Sequence, residues 1–152
     1  MRIALHQPDI AGNVGTIIRL AACFSVPLDI IMPCGFPASD RQLQRAAMDY
    51  GASADINRHL NADAFFNACA QQQRRIVLLT SHGATRLPEM TFTPQDVILL
   101  GSESAGVPDD VHDRADARVR IPMAAGFRSL NIAVSAGIAL GEALRQTGCY
   151  PQ

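Results

Sequence analysis

Three features of the sequence predict an α/β fold, a mostly parallel sheet with flanking helices. Short apolar, strand-like runs alternate with helix-like segments along the whole chain. Runs such as Ile76-Val77-Leu78-Leu79 are apolar without alternation, as strands covered on both faces require. Polar loops containing glycine recur where a strand hands over to a helix, the place where ligands of such sheets bind. At 152 residues and 48% hydrophobic content, the chain fits one domain, residues 1–152, with a core that needs neither metal nor disulfide. It has no internal repeat, linker or low-complexity tract.

The elements follow in order. Arg2 to His6 reads as a first strand and Gly12 to Val26 as a helix; Leu28 to Met32 is a second strand. Asp40 is placed to cap a helix over Arg41 to Tyr50, and Ala62 to Gln72 reads as another helix. Arg75 to Thr80, Asp96 to Gly101 and Ala117 to Pro122 are strands, and Asp109-Asp110 with Asp113-Arg114 resemble the solvated start of a helix. The chain closes with an apolar helix in "AGFRSLNIAVSAGIALGEALRQ", interrupted by Arg128, Ser129, Asn131 and Glu142. One of these, Ser129, is a candidate N-cap; the others exceed what capping needs.

Composition excludes several classes. No apolar run is long enough to span a membrane, and Met1 to Leu5 runs at once into His6-Gln7 with no secretory signal, so the expected location is cytoplasmic. Cys23, Cys34, Cys69 and Cys149 are far apart and lack metal-ligand spacing, which predicts free thiols and no metal. The net charge of −1 argues against bulk electrostatic coating of nucleic acid. All thirteen cations are nonetheless arginine, whose planar forks suit phosphate and base contacts, but base composition of the gene is the simpler account of such a bias and the count alone decides nothing.

Three loops carry the chemistry. In "LLGSESAGVP" (Leu99 to Pro108) the glycines permit tight turns, but the spacing is neither a P-loop nor a dinucleotide fingerprint. Glu103 at its tip either binds a cationic or hydroxyl group or is solvated. In "PDIAGNVGTIIRLAACF" (Pro8 to Phe24), Asn13, Gly15 and Thr16 stand at a helix N-terminus, a natural place for an anion. Arg19 either snorkels at the surface or holds a phosphate beside Asn13. Six residues turn through about 600° on a helix, so the two converge only if Asn13 lies in the entry loop. The third loop is "PMAAGFRSLN" (Pro122 to Asn131). The histidines are scattered; His6 and His82, just past strands, are the ones within reach of a cleft.

Taken together, the three loops resemble the three motifs of the SPOUT methyltransferase superfamily. The match is closest to the small single-domain YibK-like group of tRNA (cytidine/uridine-34)-2'-O-methyltransferases. "PDIAGNVGTIIRLA" resembles the first motif, "LLGSESAGVP" the second and "RIPMAAGFRSLNIAVSAGIALGEALRQ" the third, while "PCGFPASDRQLQRAAMDY" is similar to a segment between the first two. The resemblance runs from about Arg2 to Gly148. It implies a C-terminal trefoil knot, which general rules of chain topology would not propose. It implies S-adenosyl-L-methionine (AdoMet) as cofactor, held around Leu79, Thr80, Gly101, Ser102, Glu103, Ile121, Pro122, Met123, Ser129 and Leu130. It implies Asn13, Arg19, Glu103, Ser129 and Asn131 as the catalytic set and tRNA as substrate, with leucine tRNAs the expected ones. Arg19, Arg41, Arg45 and Arg128 would contact the RNA; Arg41 and Arg45 share a helix face at i,i+4, as a phosphate patch or equally as a surface salt-bridge set. A homodimer formed through the first and last helices is implied as well. The chain departs from the group at Gly141, where an aromatic is usual, and at Ala11, where proline is common; the first bears on a stacking or dimer contact. The rival readings are a 2'-O-methyltransferase for another tRNA position or rRNA, a knotted binding module without turnover, and a nucleotide-binding oxidoreductase that lacks its glycine fingerprint.

Overall fold

The computed structural model describes residues 1–37, 50, 53–83 and 85–152. The helix expected over Arg41 to Tyr50, with its Asp40 cap and with Arg41 and Arg45, lies outside the described residues apart from Tyr50.

The described elements are β1 (Arg2–His6), α1 (Ala11–Cys23), β2 (Leu28–Ile31), β3 (Ile56–His59), α2 (Ala62–Gln71), β4 (Arg75–Leu79), β5 (Thr85–Arg86), a 3-10 turn (Leu87–Glu89), β6 (Asp96–Leu100), α3 (Asp109–Arg114), β7 (Ala117–Arg120) and α4 (Ile132–Thr147). Among the described residues seven strands form one sheet in the order β3-β2-β1-β6-β4-β7-β5. Every pairing in it is parallel. The chain winds outward from β1 through β2 to β3, then crosses to the other half of the sheet. That reversal opens a crevice at the carboxyl ends of the central strands.

Why the central strands are apolar throughout follows from the two layers. Ile3, Leu5, Ile98 and Leu100 face α1 and α4, whose buried residues include Val14, Ile17, Ile18, Ala139, Leu140 and Leu144. Their neighbours Ala4, Val97 and Leu99 face Phe65, Phe66 and Cys69 of α2 and Val111 of α3. A strand alternates its side chains between faces, so a sheet covered on both sides needs apolar residues at every position. On α1 the buried Val14, Ile17, Ile18 and Ala21 fall at i, i+3, i+4 and i+7. On α4 the alanines Ala136, Ala139 and Ala143 are buried, and their small side chains let it lie close to α1.

Two expectations shift. The first helix ends at Cys23 rather than Val26, because Ser25 takes a positive φ of 53° and turns the chain into β2. The last helix begins at Ile132, with Asn131 rather than Ser129 as its cap.

Two buried carboxylates hold the strand starts. Asp29 on β2 receives Arg2 Nε at 2.7 Å and lies 2.9 Å from His59 Nε2, linking the first three strands. Asp96 is fully buried at the start of β6 and accepts from Arg75 Nε (2.8 Å) and Nη2 (2.6 Å), the Thr93 amide (2.9 Å) and the Thr93 hydroxyl (2.7 Å). Burial alone would raise the Asp96 pKa; the Arg75 and Thr93 hydrogen bonds outweigh it and leave it lowered. A carboxylate with a lowered folded-state pKa contributes stability above its unfolded value of about 3.9, and that contribution is lost as pH falls through the folded value. Asp96→Asn is therefore expected to destabilise the protein by about 2–4 kcal/mol at pH 7 and to flatten the stability profile below about pH 4. Urea melts of both proteins across pH check it; parallel profiles would show that Asp96 does not carry the acid dependence.

Candidate active site at the carboxyl ends of the central strands

A cleft of about 910 Å³ opens beyond β4, β6 and β7. Leu79 and Thr80 enter it from the end of β4, Gly101 to Glu103 from the end of β6, and Ile121 and Met123 from the segment after β7; Ser129, Leu130 and Asn131 close it ahead of α4. All three loops singled out in the sequence therefore meet at one place.

The loop after β6 owes its shape to two glycines. Ser102 and Gly106 exchange backbone hydrogen bonds of 2.8 and 2.9 Å, folding residues 102–106 back on themselves. A Cβ on Gly101 would lie 2.4 Å from the Gly106 carbonyl carbon, so any side chain there collides with backbone. Gly106 itself turns with φ +70°. The fold-back sends the Glu103 carboxylate across to the first loop. Its Oε2 accepts from the Asp9 amide at 2.8 Å and its Oε1 from Asn13 Nδ2 at 2.9 Å. Asp9 answers by accepting from the Ser104 amide at 3.0 Å and from the Ser104 hydroxyl, which, with the amide second, holds its carboxyl below the usual range.

From Asn13 the chain of bonds continues. Asn13 Oδ1 accepts from Asn131 Nδ2 at 3.0 Å, and Asn131 Oδ1 accepts from the amides of Ala133 (2.8 Å) and Val134 (3.4 Å) at the start of α4. The direction of this relay is determined at both ends. Glu103 is an acceptor, which makes Asn13 present its NH₂ there; the α4 amides are donors, which makes Asn131 present its carbonyl to them. The two amides then meet in the one orientation left. Residues from all three motifs thus form a single polarised line from Glu103 to a helix N-terminus.

Arg19 stands apart. Asn13 lies within α1, in its first turn, so the condition for the two to converge on one face is not met. Arg19 is exposed, its guanidinium 4.7 Å from the Tyr50 ring centroid, and it is not among the residues lining the cleft. Among the described residues it has no carboxylate partner, nor does Arg128 or Arg120. Arg145, by contrast, donates to both oxygens of Glu142 at 2.9 Å. Glu142 also accepts from Gln146 Nε2 at 2.7 Å, and Gln146 in turn holds the Phe92 amide and the Met90 carbonyl, each at 2.9 Å. The polar residues late in α4 thus brace the connection into β6 and stand outside the cleft.

Several contributors were not singled out by sequence. Asp109 and His112 of α3 line the cleft, where Asp109 had read as part of a solvated helix start. Arg118 Nε donates to His112 Nδ1 at 3.2 Å, so a neutral His112 carries its proton on Nε2. Ile10 also lines the mouth. Of the two histidines past strands, His82 lines the cleft while His6 is buried, its Nδ1 without a partner among the described residues and its pKa lowered by burial. The described residues contain no group of three or more His, Cys, Asp or Glu arranged to hold a metal, and no helix long and apolar enough to cross a membrane.

Comparison with known proteins adds chemistry to this geometry. Residues 1–141 match the SpoU rRNA Methylase family. A tRNA (cytidine(34)-2'-O)-methyltransferase of Ancylobacter novellus is 49% identical over 150 residues, covering 99% of this chain and 95% of that protein. A solved structure described as giving insight into 2-OH methylation of C/U34 on tRNA superposes with a TM-score of 0.89 at 38% identity, covering 95% of this chain and 94% of that one. The SpoU methyltransferase AviRb of Streptomyces viridochromogenes, solved with AdoMet, superposes with a TM-score of 0.87 at 25% identity, covering 96% of this chain and 57% of that one.

Proposed function

Because this chain belongs to the SpoU rRNA Methylase family, we propose that it methylates the ribose 2'-hydroxyl of the wobble nucleotide, C34 or U34, of tRNA with AdoMet as methyl donor. The observation that carries this reading is the relay of Glu103, Asn13 and Asn131 along one side of the cleft, which joins the three motif loops. Leucine tRNAs are the expected substrates, and a homodimer in the cytoplasm the expected form. Ile10 is 50%, Val134 51% and Ile138 41% exposed, at the start of α1 and along α4, and this aliphatic surface supports a second copy as partner.

The cleft suits AdoMet. Its volume of about 910 Å³ falls in the range of cofactor pockets, and its lining mixes Leu79, Leu100, Ile121 and Leu130 with the carboxylates of Glu103 and Asp109. Aliphatic walls accommodate a purine, and carboxylates favour the cationic sulfonium and ammonium. The Thr80 and Ser102 amides are engaged by Val119 and Gly106 carbonyls, so these residues contribute through other atoms. When bound, AdoMet supplies an electrophilic methyl group on sulfur.

The chain's own residues supply position and charge. The relay prevents the Asn13 and Asn131 amides from turning, so whatever they contact meets a fixed donor and acceptor pattern. Arg19 holds its guanidinium carbon 4.7 Å over the Tyr50 ring centroid and stays exposed, so its N–H groups are available to a phosphate and to charge developing on the attacking oxygen. A guanidinium carries no free acceptor for a proton, so the hydroxyl proton leaves to phosphate or water. Arg128 is a second phosphate contact, and Ser129 closes the site beside Asn131.

The deciding experiment transfers labelled methyl from AdoMet to total tRNA from cells lacking the enzyme, then maps the modified nucleotide by mass spectrometry. The expected product is 2'-O-methylated C or U at position 34. Methylation elsewhere would favour the other-position reading, and AdoMet binding without transfer would favour a module lacking turnover.

A further inference from the structure

Six phenylalanines occur in the chain, and five of them, Phe24, Phe36, Phe65, Phe66 and Phe92, are buried or half-buried. Phe127 is 73% exposed. It sits in the connection between β7 and α4, of which Ile121, Met123, Ser129, Leu130 and Asn131 line the cleft, so Phe127 is carried by the same segment as the site without itself lining it. The presentation is built in. Gly126 takes φ +93°, a conformation that side chains resist, and the Phe127 amide closes a turn onto the Ala124 carbonyl at 3.4 Å. The next residue, Arg128, has no acidic partner among the described residues. An exposed aromatic ring beside an unpaired guanidinium is the pairing with which proteins hold unstacked nucleotides, the ring taking a base face and the cation a phosphate.

We propose that Phe127 is a positioning residue that stacks on the base of the target nucleotide, with Arg128 on the adjoining phosphate. The inference rests on the reading of the site as an RNA 2'-O-methyltransferase and adds to it how the nucleotide is held. A ribose hydroxyl reaches a recessed cleft only if its nucleotide leaves the stack of its neighbours, and the exposed base then needs a surface to replace them. A π-face serves cytosine and uracil alike, since stacking ignores the base edges where the two differ. A second protein copy is the competing occupant. A contact at Phe127 in such an interface would take Arg128 out of water with no carboxylate of its own chain beside it among the described residues, which is costly unless the second copy supplies one; a phosphate neutralises it.

The test uses the full-length protein and an anticodon stem-loop RNA carrying pyrrolocytidine, a fluorescent cytidine quenched by stacking, at position 34. S-adenosylhomocysteine is present, and methyl transfer to the unlabelled stem-loop is measured in parallel. Wild type and Phe127→Tyr are expected to quench the probe. Phe127→Leu should lose most of the quench and raise the KM for RNA roughly 10-fold, the scale of one lost base–aromatic stack. Its kcat and its S-adenosylhomocysteine affinity should change less than about twofold, a split that general structural damage would not produce. Equal quench and equal KM in Phe127→Leu, with wild-type transfer intact, overturns the inference alone. So does a change of oligomeric state in sedimentation velocity with quench preserved, which assigns Phe127 to a second copy. Absence of transfer by wild type overturns the reading of the site itself.

Discussion

Arg19→Ala should lower methyl transfer by about 10²–10³-fold, the cost of removing one donor aimed at developing charge. AdoMet affinity should stay within about twofold, because Arg19 is not part of the cleft lining. The expectation follows from a separation that the structure makes plain. The cleft proposed to hold AdoMet is built by the ends of β4, β6 and β7, whereas Arg19 projects from α1 with Tyr50 beneath its guanidinium. Removing it should take away the proposed phosphate contact without altering the cleft lining. Arg19→Lys keeps the charge but gives up the planar fork, and should recover only part of the loss. Single-turnover transfer at saturating tRNA, beside calorimetric AdoMet binding, measures both quantities. Undiminished transfer in Arg19→Ala would remove Arg19 from the reaction.

Gly101→Ala is the second large effect, and it acts on the other partner. The new methyl would sit 2.4 Å from the Gly106 carbonyl carbon and 2.6 Å from its oxygen. Both are backbone atoms, so no rotamer relieves the contact. The Ser102–Gly106 hydrogen-bond pair must open, and with it goes the support that delivers Glu103 to Asp9 and Asn13. A loss of about 2–3 kcal/mol in stability is expected, in the range of overpacked sites, together with weaker AdoMet binding and a fall in transfer rate of about 100-fold, the scale of misplacing reacting groups by an ångström. Gly106→Ala provides the contrast. Nothing lies within 4 Å of a Cβ there, and the penalty is the positive φ alone, about 1–2 kcal/mol. Were Gly101→Ala to bind AdoMet as wild type does, the fold-back would not be what shapes the pocket.

Much of the architecture was readable from the chain because it depends on local pattern. The Ile76 to Leu79 run became an interior strand, and Val14, Ile17, Ile18 and Ala21 became the inner face of a helix. The edges were harder. Ile56–His59 offers one aliphatic residue in four and Thr85–Arg86 is only two residues long, so neither carries a strand signal until β2 or β7 is beside it. The three site loops stood out by composition, yet their mutual arrangement could not. Capping illustrates the reason. Ser129 and Asn131 are both competent N-caps, and the choice fell to Asn131, whose side chain also meets Asn13 at a sequence separation of 118. Distance in the chain hides such a bond from any local rule. Arg19 is the opposite case: its six-residue spacing from Asn13 already argued against a shared face, and the helix begins early enough to keep them apart.

The line of hydrogen bonds through Glu103, Asn13 and Asn131 has a bearing on how the enzyme matures. Its members are separated by 90 and 118 residues, and the companion bonds at Asp9 span 94 and 95. Contacts this remote form late and slowly during folding, because each closes a long loop before any gain is returned. No fragment ending before Asn131 contains all three groups, so the line cannot form on a shorter nascent chain. Whatever depends on this line therefore requires the carboxyl-terminal segment, with Asn131 capping the last helix, to be settled against the first loop.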